Sequence, residues 1–196
     1  MIIAKDYLEK IETVFKFSEK RSFCQIATVS KSGDTYEPKM RTVMMYYEKE
    51  REAFYFTCST QTHKWAELKV IPKVTGLYFD RENFTQYRFE ATAALIDFQT
   101  KNEKKLFEET WLNLRPDLRH VLWQEYLKDK SKNYNIDTIL PAHGIVVLQP
   151  YYWDIFALGI PNYETSSRTQ MILNDKEEWK VYENAPKICP LDLSPY

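Results

Sequence analysis

Apolar side chains recur at helical spacing near the N-terminus, at Leu8, Ile11, Val14 (or Phe15) and Phe17. That spacing predicts an amphipathic helix over residues 4–18. The pattern then changes. Residues 23–30, 38–47 and 53–58 are short apolar or alternating runs that predict strands. Ser32-Gly33-Asp34 turns the chain between the first two, and the charged run Glu48-Lys49-Glu50-Arg51-Glu52 forms a hairpin tip before the third. A short helix is expected over 60–70, with Ser59 or Thr60 as its cap and Pro72 as its stop. Strands follow at 74–79 and 84–97. The second alternates cleanly, with Phe84, Gln86, Arg88, Glu90 and Thr92 on one face and Thr85, Tyr87, Phe89, Ala91 and Ala93 on the other.

Thr100-Lys101-Asn102-Glu103 reads as a capping box that opens a helix to about Trp111. Pro116 starts another, to about Leu127. Residues 128–138 are polar and read as a loop. Residues 144–149, 151–157, 168–174 and 178–183 read as closing strands. Strands dominate and do not alternate regularly with helices, which favours a mainly β protein built as an antiparallel barrel with peripheral helices over a doubly wound sheet. At 196 residues the chain is expected to form a single domain over residues 1–196.

Composition narrows the function. The 27 basic and 28 acidic residues leave a formal net charge of -1, which advertises neither nucleic acid nor an anionic membrane as partner. No run approaches the ~20 apolar residues of a membrane span, and residues 1–6 lack a signal-peptide core, so a cytoplasmic location is expected. Only 4 glycines occur, and no Rossmann or Walker pattern is present. Cys24, Cys58 and Cys189 are odd in number and lack metal-ligand spacing. His63, His120 and His143 belong to no metal motif, and there is no nucleophile elbow or Cys–His signature.

Three segments could carry ligand chemistry. Thr57-Cys58-Ser59-Thr60-Gln61-Thr62-His63-Lys64 lies between a strand and a helix, where free backbone N–H groups attract anions. An ordinary capped helix would use the same residues. Arg41-Thr42-Val43-Met44-Met45-Tyr46 sets one arginine on an apolar strand, and a guanidinium suits phosphate. A strand-end arginine reaching solvent is the plainer reading. In Gln86-Tyr87-Arg88-Phe89-Glu90-Ala91, Gln86 can face a heteroaromatic edge, while Arg88 and Glu90 can form an ion pair on one face.

Taken in order, these segments resemble the pyridoxamine 5'-phosphate oxidase family and related FMN-binding split barrels. The family's Arg-x-Val-aliphatic-aliphatic strand is matched by Arg41 to Met45, and its aromatic strand ending in Thr by Phe54 to Thr57. Its Ser/Thr-basic-Lys helix start is matched by Thr62-His63-Lys64, with Pro72-Lys73-Val74 following. Its Gln-x-Arg-x-Glu-Gly strand is matched by Gln86 to Ala91, with alanine for glycine. Trp111 to Pro116, Trp123, Trp179-Lys180-Val181 and Ala185-Pro186 extend the similarity over roughly residues 20–186.

Departures are equally specific. Tyr46 stands where the oxidases carry lysine, and Gln124-Glu125-Tyr126-Leu127 does not supply their Gln-Ser pair. Asn162-Tyr163-Glu164-Thr165 stands near the place of their substrate-binding Arg-x-His. Phe156 replaces a flavin-contacting tryptophan, and Arg168 matches the following arginine if two residues are inserted.

The resemblance implies a six-stranded split barrel that works as a homodimer, with FMN at the subunit interface. Arg41, Thr62, His63 and Lys64 would hold the phosphate. Backbone groups of Thr42, Val43 and Met44 would face the ring or ribityl chain. Phe56 and Thr57 would line the cofactor, Gln86 would meet its polar edge, and Phe156 and Arg168 would come from the partner. Arg115 would meet an anionic substrate, although an ion pair at the helix start explains it as well. The expected function is an FMN-dependent oxidase or reductase on a small molecule, with no residue assigned as general acid or base. A non-catalytic flavin carrier and a haem-binding barrel, ligated by His63, His120 or His143, stand as alternatives.

Overall fold

The computed structural model describes residues 4–15, 22–48, 51–128 and 133–184. Its strands are β1 (Ser22–Ser32), β2 (Thr35–Glu48), β3 (Ala53–Ser59), β4 (Lys73–Asp80), β5 (Thr85–Ile96), β6 (His143–Ala157), β7 (Ser167–Leu173) and β8 (Trp179–Tyr182). Its α-helices are α1 (Ala4–Phe15), α2 (His63–Val70), α3 (Lys104–Leu112) and α4 (Pro116–Leu127). Along β5, buried and half-buried residues alternate from Thr85 to Glu90, as expected for a strand with one face on a core.

The sheet runs β3-β2-β1-β4-β5-β6-β7-β8, and β3 also pairs with β6. That extra pairing closes six strands into a ring and leaves β7 and β8 as an extension. All pairings are antiparallel. The strands expected at 144–149 and 151–157 are one continuous strand. Glu90 lies opposite Tyr152 and Ala91 opposite Pro150, so Tyr151 is the extra residue of a bulge. Pro150 has no N–H to donate, and a bulge is where a sheet tolerates that.

Large aromatics fill the ring. Phe54 and Phe89 stack at 5.3 Å, and Trp153 lies 5.1 Å from Phe89. Helix α1 closes one mouth, setting Phe15 against Phe54, Tyr78, Tyr87 and Trp153. Helix α2 lies at the other mouth, with Trp65 and Leu68 buried. Gly76 faces Phe89 across β4 and β5, and a Cβ there would fall 2.1 Å from the Phe89 ring. Glycine is required at that point for room.

Helices α3 and α4 and the segment before β6 make a satellite core of Trp111, Leu114, Trp123, Leu140 and Ala142. The indoles of Trp111 and Trp123 donate to the carbonyls of Ile136 and Thr138. His143 joins this lobe to the barrel. It is buried between Phe107 and Trp111, with Nε2 3.2 Å from Thr110 Oγ1. The Thr110 hydroxyl also lies 3.1 Å from the Phe107 carbonyl, so it bridges the helix backbone and His143.

Several boundaries differ from the sequence reading, and each has a local cause. Helix α1 is described to Phe15, and residues 16–18 lie outside the described residues, as do Lys49, Glu50, Ala185, Pro186 and Cys189. Helix α2 begins at His63 rather than at 60, with Thr62 at its N-cap instead of Ser59 or Thr60. Residues 59–62 form a turn of their own, in which Thr62 N and Oγ1 both donate to the Ser59 carbonyl. The capping box does not form. Thr100 Oγ1 bonds Asp97, and Glu103 pairs with Arg51 at 2.8 Å. Phe84 is a turn residue with φ 48° and lies outside β5.

Two outcomes follow. Gly76→Ala should destabilise the fold by about 1–3 kcal/mol through overpacking, read as a Tm several degrees lower in thermal unfolding; an unchanged Tm would contradict the packing. Burial drives the His143 pKa down to about 4. A lowered folded-state pKa means the unfolded chain binds more protons below about pH 6.5, so this stabilisation is complete above that pH and is lost as pH falls toward 4. Between pH 7.5 and 5 the wild type should lose ~2 kcal/mol more in urea unfolding than His143→Gln does. Parallel pH profiles would exclude the effect.

Candidate functional site

Arg41, on β2, turns to the α2 mouth of the barrel. Its Nη2 donates to Glu67 Oε2 at 2.7 Å, to Thr28 Oγ1 at 2.7 Å and to the Lys39 carbonyl at 3.3 Å. Thr28 Oγ1 in turn donates to Glu67 Oε2. Thr28 is fully buried on β1, and the Arg41 and Glu67 side chains are 19% and 10% exposed. Burial alone would raise the Glu67 carboxyl. The Thr28 hydroxyl and the Arg41 guanidinium outweigh it and hold the group below the usual carboxylate range, and His63 pulls the same way.

Beside this network stands Cys58, at the exit of β3. Burial raises its thiol, against the opposing pull of Lys64, Thr62 and Arg41. Cys58 thus feels groups of β2 and of the start of α2. Lys64 is half-buried and His63 exposed on the first turn of α2. The start of α2 is fixed from both sides. Thr60 N donates to the Ala142 carbonyl, Ser59 lies opposite His143 at the start of β6, and Trp65 packs where a Cβ on Gly144 would stand.

Other candidate residues differ in what they offer. Val43 and Phe56 point into the core, at 8% and 1% exposure, so only their backbone reaches a ligand outside the barrel. Thr42 is exposed on the outer face, and Met44 and Thr57 are half-buried. The Thr62 hydroxyl already donates to Ser59 and would have to rotate to meet an anion. Tyr46 stacks on Tyr55 across β2 and β3, 5.2 Å between centroids.

A second group occupies another part of the sheet. Gln86, Phe156 and Arg168 stand in one row across β5, β6 and β7. Arg168 grips Asp154 with two bonds of 2.8 Å, and Arg88 reaches the same carboxylate at 3.2 Å. Arg88 therefore pairs with Asp154, while Glu90 accepts from Tyr151. The two groups are distinct within one chain. Strands β1 and β4 separate β2 from β5, roughly 14 Å around the sheet at ~4.8 Å per strand.

Arg115 pairs with Asp117 at 2.7 Å on the exposed start of α4, the ion pair expected for a helix start. His120 contacts Tyr134 and Gln124 on the helical lobe, and His143 is enclosed within it. Cys24 and Cys58 are free thiols. Among the described residues no group of three acidic, His or Cys side chains is arranged to hold a metal ion, and no helix is long and apolar enough to cross a membrane.

Sequence reasoning missed Glu67, Thr28 and Asp154. Glu67 lies three and four residues after Lys64 and His63, so helical spacing puts it on their face. Asp154 lies two residues before Phe156, so strand alternation puts both on one face. Neither spacing alone names the arginine each one grips.

Known structures share this fold. A pyridoxamine 5'-phosphate oxidase-related, FMN-binding protein from Nostoc punctiforme PCC 73102 is 16% identical, with a TM-score of 0.75 over 93% of this chain and 97% of that one. PhzG from Burkholderia lata 383, solved with tetrahydrophenazine-1-carboxylic acid, is 14% identical, with a TM-score of 0.65 over 93% and 90%. No curated protein matches the sequence. Residues 11–129, more than half of the chain, match the family model for pyridoxamine 5'-phosphate oxidase. The chain belongs to the pyridoxamine 5'-phosphate oxidase family.

Proposed function

We propose that this protein binds FMN at the β2–β3–α2 corner and acts as an FMN-dependent oxidoreductase on a small molecule. The observation that carries this reading is that Arg41 of β2 is held at 2.7 Å by Glu67 of α2, the helix that starts at Thr62, His63 and Lys64. Strand β2 and the start of α2, distant in sequence, supply these groups, and their common chemistry is that of an anion site. The donor set fits a phosphate monoester: a guanidinium, an ammonium and the backbone N–H groups of a helix start. Arg41 uses only Nη2 within the described chain. Its Nε and Nη1 have no partner among the described residues and suit a phosphate oxygen.

When bound, the flavin ring supplies the electron transfer. The residues of this chain bind and orient it. Thr42 to Met44 offer backbone on the edge of β2, and Thr57 lines the neighbouring strand. Gln86, in one row with Phe156 and Arg168, would come with them from a second copy and offer both a donor and an acceptor to the ring's polar edge.

A homodimer completes this reading. Phe156 and Arg168 lie in a different part of the sheet from Arg41, so a second copy would bring them to the cofactor. Phe23, Met40, Phe79, Ile172 and Tyr182 are exposed on sheet strands and give such a partner apolar surface.

Arg41→Ala and Lys64→Ala should each weaken FMN binding about tenfold or more, because a lost charge-assisted bond costs ~1.5–3 kcal/mol. Flavin fluorescence titration measures this, and dissociation constants equal to wild type would remove the phosphate assignment. A screen of the FMN-loaded protein with amines, quinones and nicotinamide nucleotides tests the redox reading, since a catalyst must bleach or reoxidise its flavin in turnover. Light scattering should give twice the 23.5 kDa chain mass; a monomer at micromolar concentration would oppose an interfacial site.

A further inference from the structure

Resting on the phosphate site just proposed, we propose that Glu67 is its affinity-limiting counter-ion: a positioning residue that holds Arg41 and limits the affinity of the site for phosphate. The Glu67 carboxylate lies 2.7 Å from the guanidinium, in a network closed by the fully buried Thr28 hydroxyl. At 10% exposure of its side chain, this charge is poorly screened by solvent.

The local charge balance makes the consequence concrete. Arg41 and Lys64 bring two positive charges, and Glu67 cancels one. A phosphate monoester carries about -1.5 to -2 at neutral pH. A phosphate on Nε or Nη1 of Arg41 would stand within several ångström of the carboxylate across the same guanidinium, close enough for like charges to repel appreciably in a partly buried site. Glu67 also does positive work. By engaging Nη2 together with Thr28 and the Lys39 carbonyl, it fixes the guanidinium plane and leaves the remaining donors directed elsewhere. The site is therefore ordered before it binds but is not strongly cationic. It holds any phosphate, free or esterified, more weakly than its two cations alone would.

Glu67→Gln separates charge from shape. The amide oxygen can still accept from Arg41 and Thr28, while the negative charge is removed. Dissociation constants for FMN, riboflavin and inorganic phosphate would be measured on the full chain for wild type, Glu67→Gln, Glu67→Asp and Arg41→Ala. Glu67→Gln should tighten FMN and inorganic phosphate about fivefold or more. Riboflavin, which lacks the phosphate, should be unchanged, and Glu67→Asp, which keeps the charge, should not tighten FMN. Glu67→Ala provides the same charge change should Glu67→Gln fail to fold.

FMN binding that is unchanged or weaker in Glu67→Gln, with Arg41→Ala still weakening it, would overturn the inference and leave the phosphate site standing. Equal tightening of riboflavin would show an effect on the ring rather than on the phosphate and would also overturn it. An Arg41→Ala protein that binds FMN like wild type would remove the phosphate site itself, and this inference with it.

Discussion

Strand β6 pairs with β3 along residues 143–148 and with β5 along 145–157, and this double engagement is the constraint on which the molecule depends. A strand that satisfies backbone groups on both sides leaves no open edge, so the six-stranded ring closes around its aromatic core. Beyond the Tyr151 bulge the same strand continues past β3 and pairs with β7 instead. The bulge bends the strand at that point. One fifteen-residue strand thus belongs to the barrel at its start and to the β7–β8 extension at its end.

The candidate site inherits its geometry from that closure. Ser59 lies opposite His143, and Thr60 bonds the Ala142 carbonyl, so the exit of β3 is held against the entry of β6. Trp65 of α2 packs beside Gly144. Helix α2 is consequently fixed next to Arg41 of β2, which bonds Glu67. The satellite lobe anchors at the same entry, where His143 sits between Phe107 and Trp111. Removing charge from water is costly unless the charge is paired. Glu67 and Asp154 follow that rule, with Arg41 at Glu67, and Arg168 and Arg88 at Asp154. The exposed Arg115–Asp117 pair carries no such demand.

Legibility in the sequence followed how local each determinant was. Helix α4 occupies Pro116–Leu127 as expected, because proline at the first helical position sets the start through its own backbone. The two faces of β5 were legible because alternation is a property of the strand itself. The capping box failed because Arg51, distant in sequence, pairs with Glu103. The residues read as two strands, 144–149 and 151–157, are one strand with a bulge, since the neighbours that carry the ladder past Pro150 are supplied by β5.

The amino-acid sequence by itself determined the strand-rich class, the helical lobe, the order of the segments and the family to which the chain belongs. Periodicity and turn chemistry act within a few residues, and motif order is written directly along the chain. Only the tertiary structure decided that Arg41 is held by Glu67 and Thr28, that Arg168 is held by Asp154, and that Phe56 and Val43 turn into the core. It also decided that the two groups of candidate residues stand on different parts of one chain. Charge pairing and ring closure act across tens of residues, and which partner a buried charge meets is settled by strand register and helix docking rather than by its sequence neighbours.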